Sequence, residues 1–101
     1  MSTLRQIKFA KPKFLYMIKD GYWYKIRYSA IDPLKRMDIL QCGNPRRLVM
    51  YAHKLLKETV FVEKLLHTEI LKDKERFREW FCLSDEDARI VAEYIDDCSK
   101  L

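Results

Sequence analysis

Tyr16, Lys25, Arg27, Glu63 and His67 are the residues whose types and spacing invite a chemical reading. Asp20-Gly21 signals a hairpin, because a type I′ turn needs positive φ at both central positions. With those two residues as the loop, Lys19 faces Tyr22, Ile18 faces Trp23, Tyr16 faces Lys25 and Phe14 faces Arg27. Directly opposed residues share a sheet face. Phe14, Tyr16, Ile18, Trp23, Lys25 and Arg27 therefore stand together, and Leu15, Met17, Tyr22, Tyr24, Ile26 and Tyr28 stand on the other side. A phenol whose ionisation is eased by a lysine across the strand pair can take or relay a proton. A strand tyrosine is also an ordinary packing residue. Glu63 and His67 are four residues apart in a helical stretch and project together from one side. Such a pair is either a metal site or a surface pair.

The elements that must position these groups follow from the pattern around them. Residues 1 to 12 read as a basic lead-in closed by Pro12, and residues 13 to 101 as a single domain. Phe14 to Lys19 and Tyr22 to Tyr28 are the hairpin strands. Asp32 is a suitable N-cap and Pro33 a suitable first residue for a helix that stops near Gly43. Its core stripe is Leu34, Met37 and Leu40, flanked by Lys35 and Arg36. Arg47 to His53 alternates as a third strand, with Leu48, Met50 and Ala52 on one side. Thr59 can cap a helix from Val60 to Leu71 whose stripe is Val62, Leu65, Leu66 and Ile70. Asp73 to Arg78 is a charged loop, and Glu79 to Leu83 is short and extended. Ser84, with Asp87 three residues on, opens a last helix that buries Ala88, Val91, Ala92 and Ile95. The result is an α+β fold: a small three-stranded antiparallel sheet flanked by helices.

In that order and spacing the residues resemble a known family. Phe14-Leu15-Tyr16, Tyr24-Lys25-Ile26, Asp32-Pro33-Leu34-Lys35-Arg36, Glu63-Lys64-Leu65-Leu66-His67 and Arg78-Glu79-Trp80-Phe81 resemble the motifs of the GIY-YIG endonuclease superfamily. The nearest likeness is to its phage and large-virus DNA-binding branch, which also covers a meiotically upregulated fungal protein. The resemblance spans about residues 13 to 97. It implies a catalytic set of Tyr16 as general base or nucleophile-positioning phenol, Lys25 in place of the second motif's tyrosine, Arg36 on phosphate, Glu63 as the ligand of one divalent metal (Mg²⁺ or Mn²⁺), and His67 beside it. Two positions depart from the family. Arg27 stands where the second motif ends in glycine, and Phe14 where the first begins with one. An arginine at that point either fills the space of the scissile phosphate or adds a phosphate contact.

Charge fits this reading without requiring it. The chain of 101 residues carries a net charge of +5, and a basic surplus favours polyanions through counterion release. Arg27, Lys35, Arg46 and Arg47 are the expected DNA-binding residues; Lys54 and Lys57 extend the same edge. Trp80 and Phe81 either stack on an unpaired base or seal the core under the last helix. Three cysteines without CxxC spacing argue against a disulfide framework or a zinc site and favour an intracellular setting. No apolar run is long enough to span a membrane. The function classes that follow are a metal-dependent DNA endonuclease or nickase, a DNA-binding module that kept the fold and lost cleavage, and a protein-interaction domain. No base-reading element is visible, so the chain either acts non-specifically, binds as a homo-oligomer or borrows a specificity partner.

Overall fold

The computed structural model describes residues 12–101, so most of the basic lead-in lies outside the described residues. The elements run β1 (Lys13–Asp20), β2 (Trp23–Ser29), α1 (Pro33–Gln41), β3 (Val49–Leu56), α2 (Thr59–Leu65), a π-helical turn (Leu66–Ile70), β4 (Arg76–Phe77), β5 (Trp80–Cys82) and α3 (Asp85–Ser99). The class is α+β, as expected. The sheet has five strands, not three, all antiparallel in the order β3-β1-β2-β5-β4. The stretch read as a charged loop and a short extended segment contributes the two extra strands.

The β1–β2 hairpin turns one position later than its sequence suggests. Asp20 pairs with Trp23, so Gly21 and Tyr22 form the loop. Gly21 sits at φ +63, and Tyr22 has no positive φ. That is the pattern of a type II′ turn, which asks for glycine at its first central position only. The register moves by two residues, which preserves both faces but changes every partner. Tyr16 now opposes Arg27, Ile18 opposes Lys25 and Phe14 opposes Ser29.

Two apolar layers hold the sheet. On one face Leu15, Met17, Tyr24, Ile26, Leu56 and Phe81 pack against Val62 and Leu66 of the α2 segment and Ala88, Val91 and Ile95 of α3. On the other, Tyr16, Ile18 and Leu48 are covered by Met37 and Leu40 of α1. Burying each such side chain is worth about 1.5–3 kcal/mol. Ser84 caps α3 by accepting from the Asp87 amide at 3.1 Å, as read from the sequence. α1 is capped by Asp32, which accepts from the Leu34 amide, but Leu34 itself is 48 % exposed and not in the core. A break in register between Met17 and Ile18 lets β3 serve both layers. Met50 opposes Ile18 on the α1 side, whereas Ala52 opposes Met17 on the α2–α3 side. The expected strand face of Leu48, Met50 and Ala52 is therefore split.

The second helix changes pitch midway. After Leu65 the chain widens into a π turn, closed by the Leu71 amide donating to the Leu66 carbonyl at 2.9 Å. The extra residue rotates the stripe, so Leu71 is buried and Ile70 is exposed. Thr59 belongs to the helix and does not cap it. Its hydroxyl accepts from the Lys13 amide and reaches the Lys13 and Leu56 carbonyls, which ties the helix start to the first strand.

Candidate functional site

The chemistry-bearing residues gather where β2 outruns its neighbour. β5 pairs with β2 only along Trp23 to Lys25. Beyond that point the Ile26 amide still donates to the Glu79 carbonyl at 3.0 Å, the rest of that edge pairs with no strand, and the α2 segment packs against β2 there. Its Val62, Glu63, Leu66 and His67 face inward because they follow helical spacing with the apolar stripe. Glu63 is 9 % exposed and His67 8 %. Neither is the surface residue that an isolated i, i+4 pair would suggest.

Glu63 meets a cation. Its Oε2 accepts from Arg27 Nη1 at 2.8 Å. Arg27 also reaches Glu79 Oε1 through Nε at 3.2 Å, and Lys25 Nζ lies 3.3 Å from the other oxygen of Glu79. Two carboxylates and two cations thus alternate in one chain, Glu63–Arg27–Glu79–Lys25. The hydrogen bond that Arg27 donates to Glu63 is the main cause that holds the guanidinium above its ordinary pKa, against partial burial. The guanidinium also lies over the Tyr28 ring, 4.2 Å from its centroid.

Tyr16 lies across the strand pair from Arg27 and is fully buried. Burial raises its pKa; the nearby Arg36 guanidinium pulls it down, Glu79 pushes it up and Arg27 pulls it down. The net direction is upward, so the phenol is neutral at physiological pH. This corrects the expectation of a phenol made acidic by Lys25: the register turns Lys25 to Ile18, and its ammonium is taken by Glu79 and the Trp80 ring. Arg36 lies beside the phenol without hydrogen-bonding geometry. The Tyr16 hydroxyl has no partner among the described residues.

His67 does structural work. Its Nε2 lies 2.7 Å from the Ile26 carbonyl oxygen. A carbonyl only accepts, so that contact assigns the proton to Nε2 and leaves Nδ1 to accept from Arg76 Nη2 at 3.3 Å. The ring also meets Phe81 edge-on, with centroids 4.9 Å apart. Both ring nitrogens are satisfied, and the imidazole latches the helix to that edge of β2.

The remaining expected residues are more scattered. Lys35, Arg46 and Arg47 are all exposed, and none takes part in the Glu63–Arg27–Glu79–Lys25 ion pairs. Arg46 pairs loosely with Asp20 at 3.5 Å, and Lys54 pairs with Asp96 of α3 at 3.0 Å. Phe81 is in the core, whereas Trp80 is half-buried on the Tyr16 face. Glu79 was missed from the sequence. It lay within a motif already noticed, at the turn before β5, but nothing in its spacing pointed to Arg27 and Lys25.

A divalent ion does not fit the arrangement as it stands. Among the described residues no group of three or more His, Cys, Asp or Glu could hold one. The expected ligand, Glu63, already faces a guanidinium, and the nearby Glu79 is held by two cations. No described helix is long and apolar enough to cross a membrane. No family of known proteins, no curated protein and no solved structure matches the chain.

Proposed function

We propose that the chain is an intracellular DNA-binding domain of the GIY-YIG type in which Arg27 stands where a divalent cation would otherwise face Glu63. The observation that carries this reading is the Arg27–Glu63 bridge at 2.8 Å, made by the residue that replaces a motif glycine. A guanidinium fixed against that carboxylate supplies positive charge without an exchangeable coordination shell. The net charge of +5 and the exposed Lys35, Arg36, Arg46 and Arg47 support phosphate binding. Sequence choice falls to a partner or a second copy of the chain.

A second reading, a Mg²⁺- or Mn²⁺-dependent endonuclease or nickase, is favoured by one feature. The Tyr16 hydroxyl is buried beside Arg36 with no partner, as a group held ready for a substrate would be. The test has two arms. Duplex affinity is measured between 50 and 200 mM salt; it should fall steeply, and Ala at Arg36, Arg46 or Arg47 should each lower the salt slope by about one. Supercoiled plasmid is then incubated with Mg²⁺ or Mn²⁺ and wild type, Glu63→Ala or Arg27→Gly. The binding reading expects no nicks from wild type. Nicking by wild type that vanishes in Glu63→Ala would replace it with the second reading, and no affinity at low salt would end both.

A further inference from the structure

The sheet face that carries Tyr16 holds a second feature at its hairpin end. An open cleft of about 410 Å³ is lined by Asp20, Trp23, Asn44, Phe77 and Trp80. Strand register builds it. Asp20 opposes Trp23, Lys25 opposes Trp80, and Trp80 opposes Phe77. Opposed residues share a face, so two indoles, a phenyl ring and a carboxylate stand on one side of the sheet. Phe77 is 64 % exposed, so its ring stands open to a ligand in the cleft.

We propose that this cleft binds an unpaired nucleobase. The inference rests on the nucleic-acid reading above and adds to it the state of the strand, single or locally opened. Three flat rings suit a flat ligand, because every base has a π face to stack. The volume lies in the range of small-molecule sites. The polar groups suit the edge of a base. Asp20 offers a carboxylate that accepts from an exocyclic amine. Asn44 accepts from the Arg46 amide at 2.9 Å through Oδ1, which leaves its amide N–H groups to donate. Adenine presents the complementary amine and ring nitrogen side by side.

An organic cation, the other usual guest of aromatic sites, is disfavoured by the protein's own charges. Lys25 Nζ already lies 5.8 Å from the Trp80 ring centroid, and Arg46 already faces the Asp20 carboxylate. An incoming ammonium would meet both. The same two cations attract the phosphates on either side of a bound base. The Tyr16–Arg27 row lies one strand repeat beyond the Lys25–Trp80 row, roughly 7 Å away. A base in the cleft therefore carries its strand onto the face where Tyr16 and Arg36 stand.

The chain has two tryptophans, and both line the cleft, so tryptophan fluorescence, excited beyond the absorption of the six tyrosines, reports on this site. The full chain is titrated at low salt with a ten-nucleotide deoxyadenosine strand, with an abasic strand of equal length, with a duplex and with tetramethylammonium. The deoxyadenosine strand should quench the fluorescence and the abasic strand should not. Phe77→Ala should weaken binding of the deoxyadenosine strand roughly five- to 150-fold and leave duplex affinity unchanged. Phe77→Leu, which keeps apolar bulk and removes the ring face, should behave the same way. Equal quenching by the abasic strand, or unchanged affinity in both variants, overturns the cleft while DNA binding stands. Quenching by tetramethylammonium alone overturns it in favour of a cation. No binding of strand or duplex overturns the cleft together with the reading beneath it.

Discussion

Replacing Arg27 by Met isolates the bridge on which the functional reading turns. The variant keeps an unbranched apolar stem and removes the charge, which leaves Glu63 unpaired at 9 % exposure. Breaking a fully buried ion pair costs about 3–5 kcal/mol, and an exposed one about 0–1. The Arg27 side chain is 36 % exposed and that of Glu63 11 %, so the pair lies between these limits, nearer the buried one. Glu79 loses one partner but keeps Lys25 at 3.3 Å and adds little. The expected loss is about 2–3 kcal/mol, or roughly 10–20 °C in Tm for a domain of this size. The double variant Arg27→Met/Glu63→Leu should recover most of it, because well-packed apolar groups commonly replace a buried pair at no net cost. Urea unfolding followed by far-UV circular dichroism measures both. Losses below about 0.5 kcal/mol for each single change, adding simply in the double, would show two independent surface charges and refute the argument.

Three further outcomes follow from the same geometry. Tyr16→Phe removes a buried hydroxyl that has no partner, so stability should hold or rise by up to about 1 kcal/mol; a larger fall in the unfolding midpoint would show that the hydroxyl is bonded. His67→Leu strands the Ile26 carbonyl and should cost about 1–3 kcal/mol in urea unfolding, with no change in any metal-dependent property; a neutral result would remove the latch. The carboxyls of Asp87, hydrogen-bonded by Lys74, and Asp96, hydrogen-bonded by Lys54 and Lys100, are held below their ordinary pKa of 3.8. Their folded pKa values are depressed, so their contribution is present above 3.8 and is lost as pH falls through the lowered values. Wild type and an Asp87→Asn/Asp96→Asn variant should therefore converge in unfolding midpoint as pH falls below 3.8, and a gap that stays constant on acidification would contradict it.

What could be read from the sequence depended on how local the cause was. The two hairpin faces were legible because strand alternation survives a register shift of two, but the partners were not, since they hung on whether Tyr22 or Asp20 joined Gly21 in the loop. The caps at Asp32 and Ser84 are contacts within two or three residues and were readable. β4 and β5 have two and three residues, too few for any periodicity to show. The π turn shifts the helical phase by one, so a stripe extrapolated through it landed on Ile70 when Leu71 is the buried residue. Leu34 stays at the surface because α1 covers only the small patch of Tyr16, Ile18 and Leu48, and Met37 and Leu40 suffice for that. At the site, Glu63 could be singled out by type and spacing. Its partner could not, because Arg27 is 36 residues away and the pairing exists only once α2 packs against β2.

The register break in β3 makes chain length in that strand unusually consequential. Upstream of Tyr51 the even-numbered side chains Leu48 and Met50 serve the α1 layer, and downstream Ala52 and Leu56 serve the opposite one. Tyr51 is the extra residue, so deleting it alone would restore simple alternation with Met50 and Ala52 on the faces they already hold, whereas a deletion elsewhere in the strand would turn over the residues between it and the bulge. A residue added at the Gly43–Asn44 connection would be absorbed by a longer loop. Homologues of this domain should accordingly vary in length between α1 and β3, and lose a residue between Leu48 and Leu56 only at the Tyr51 bulge.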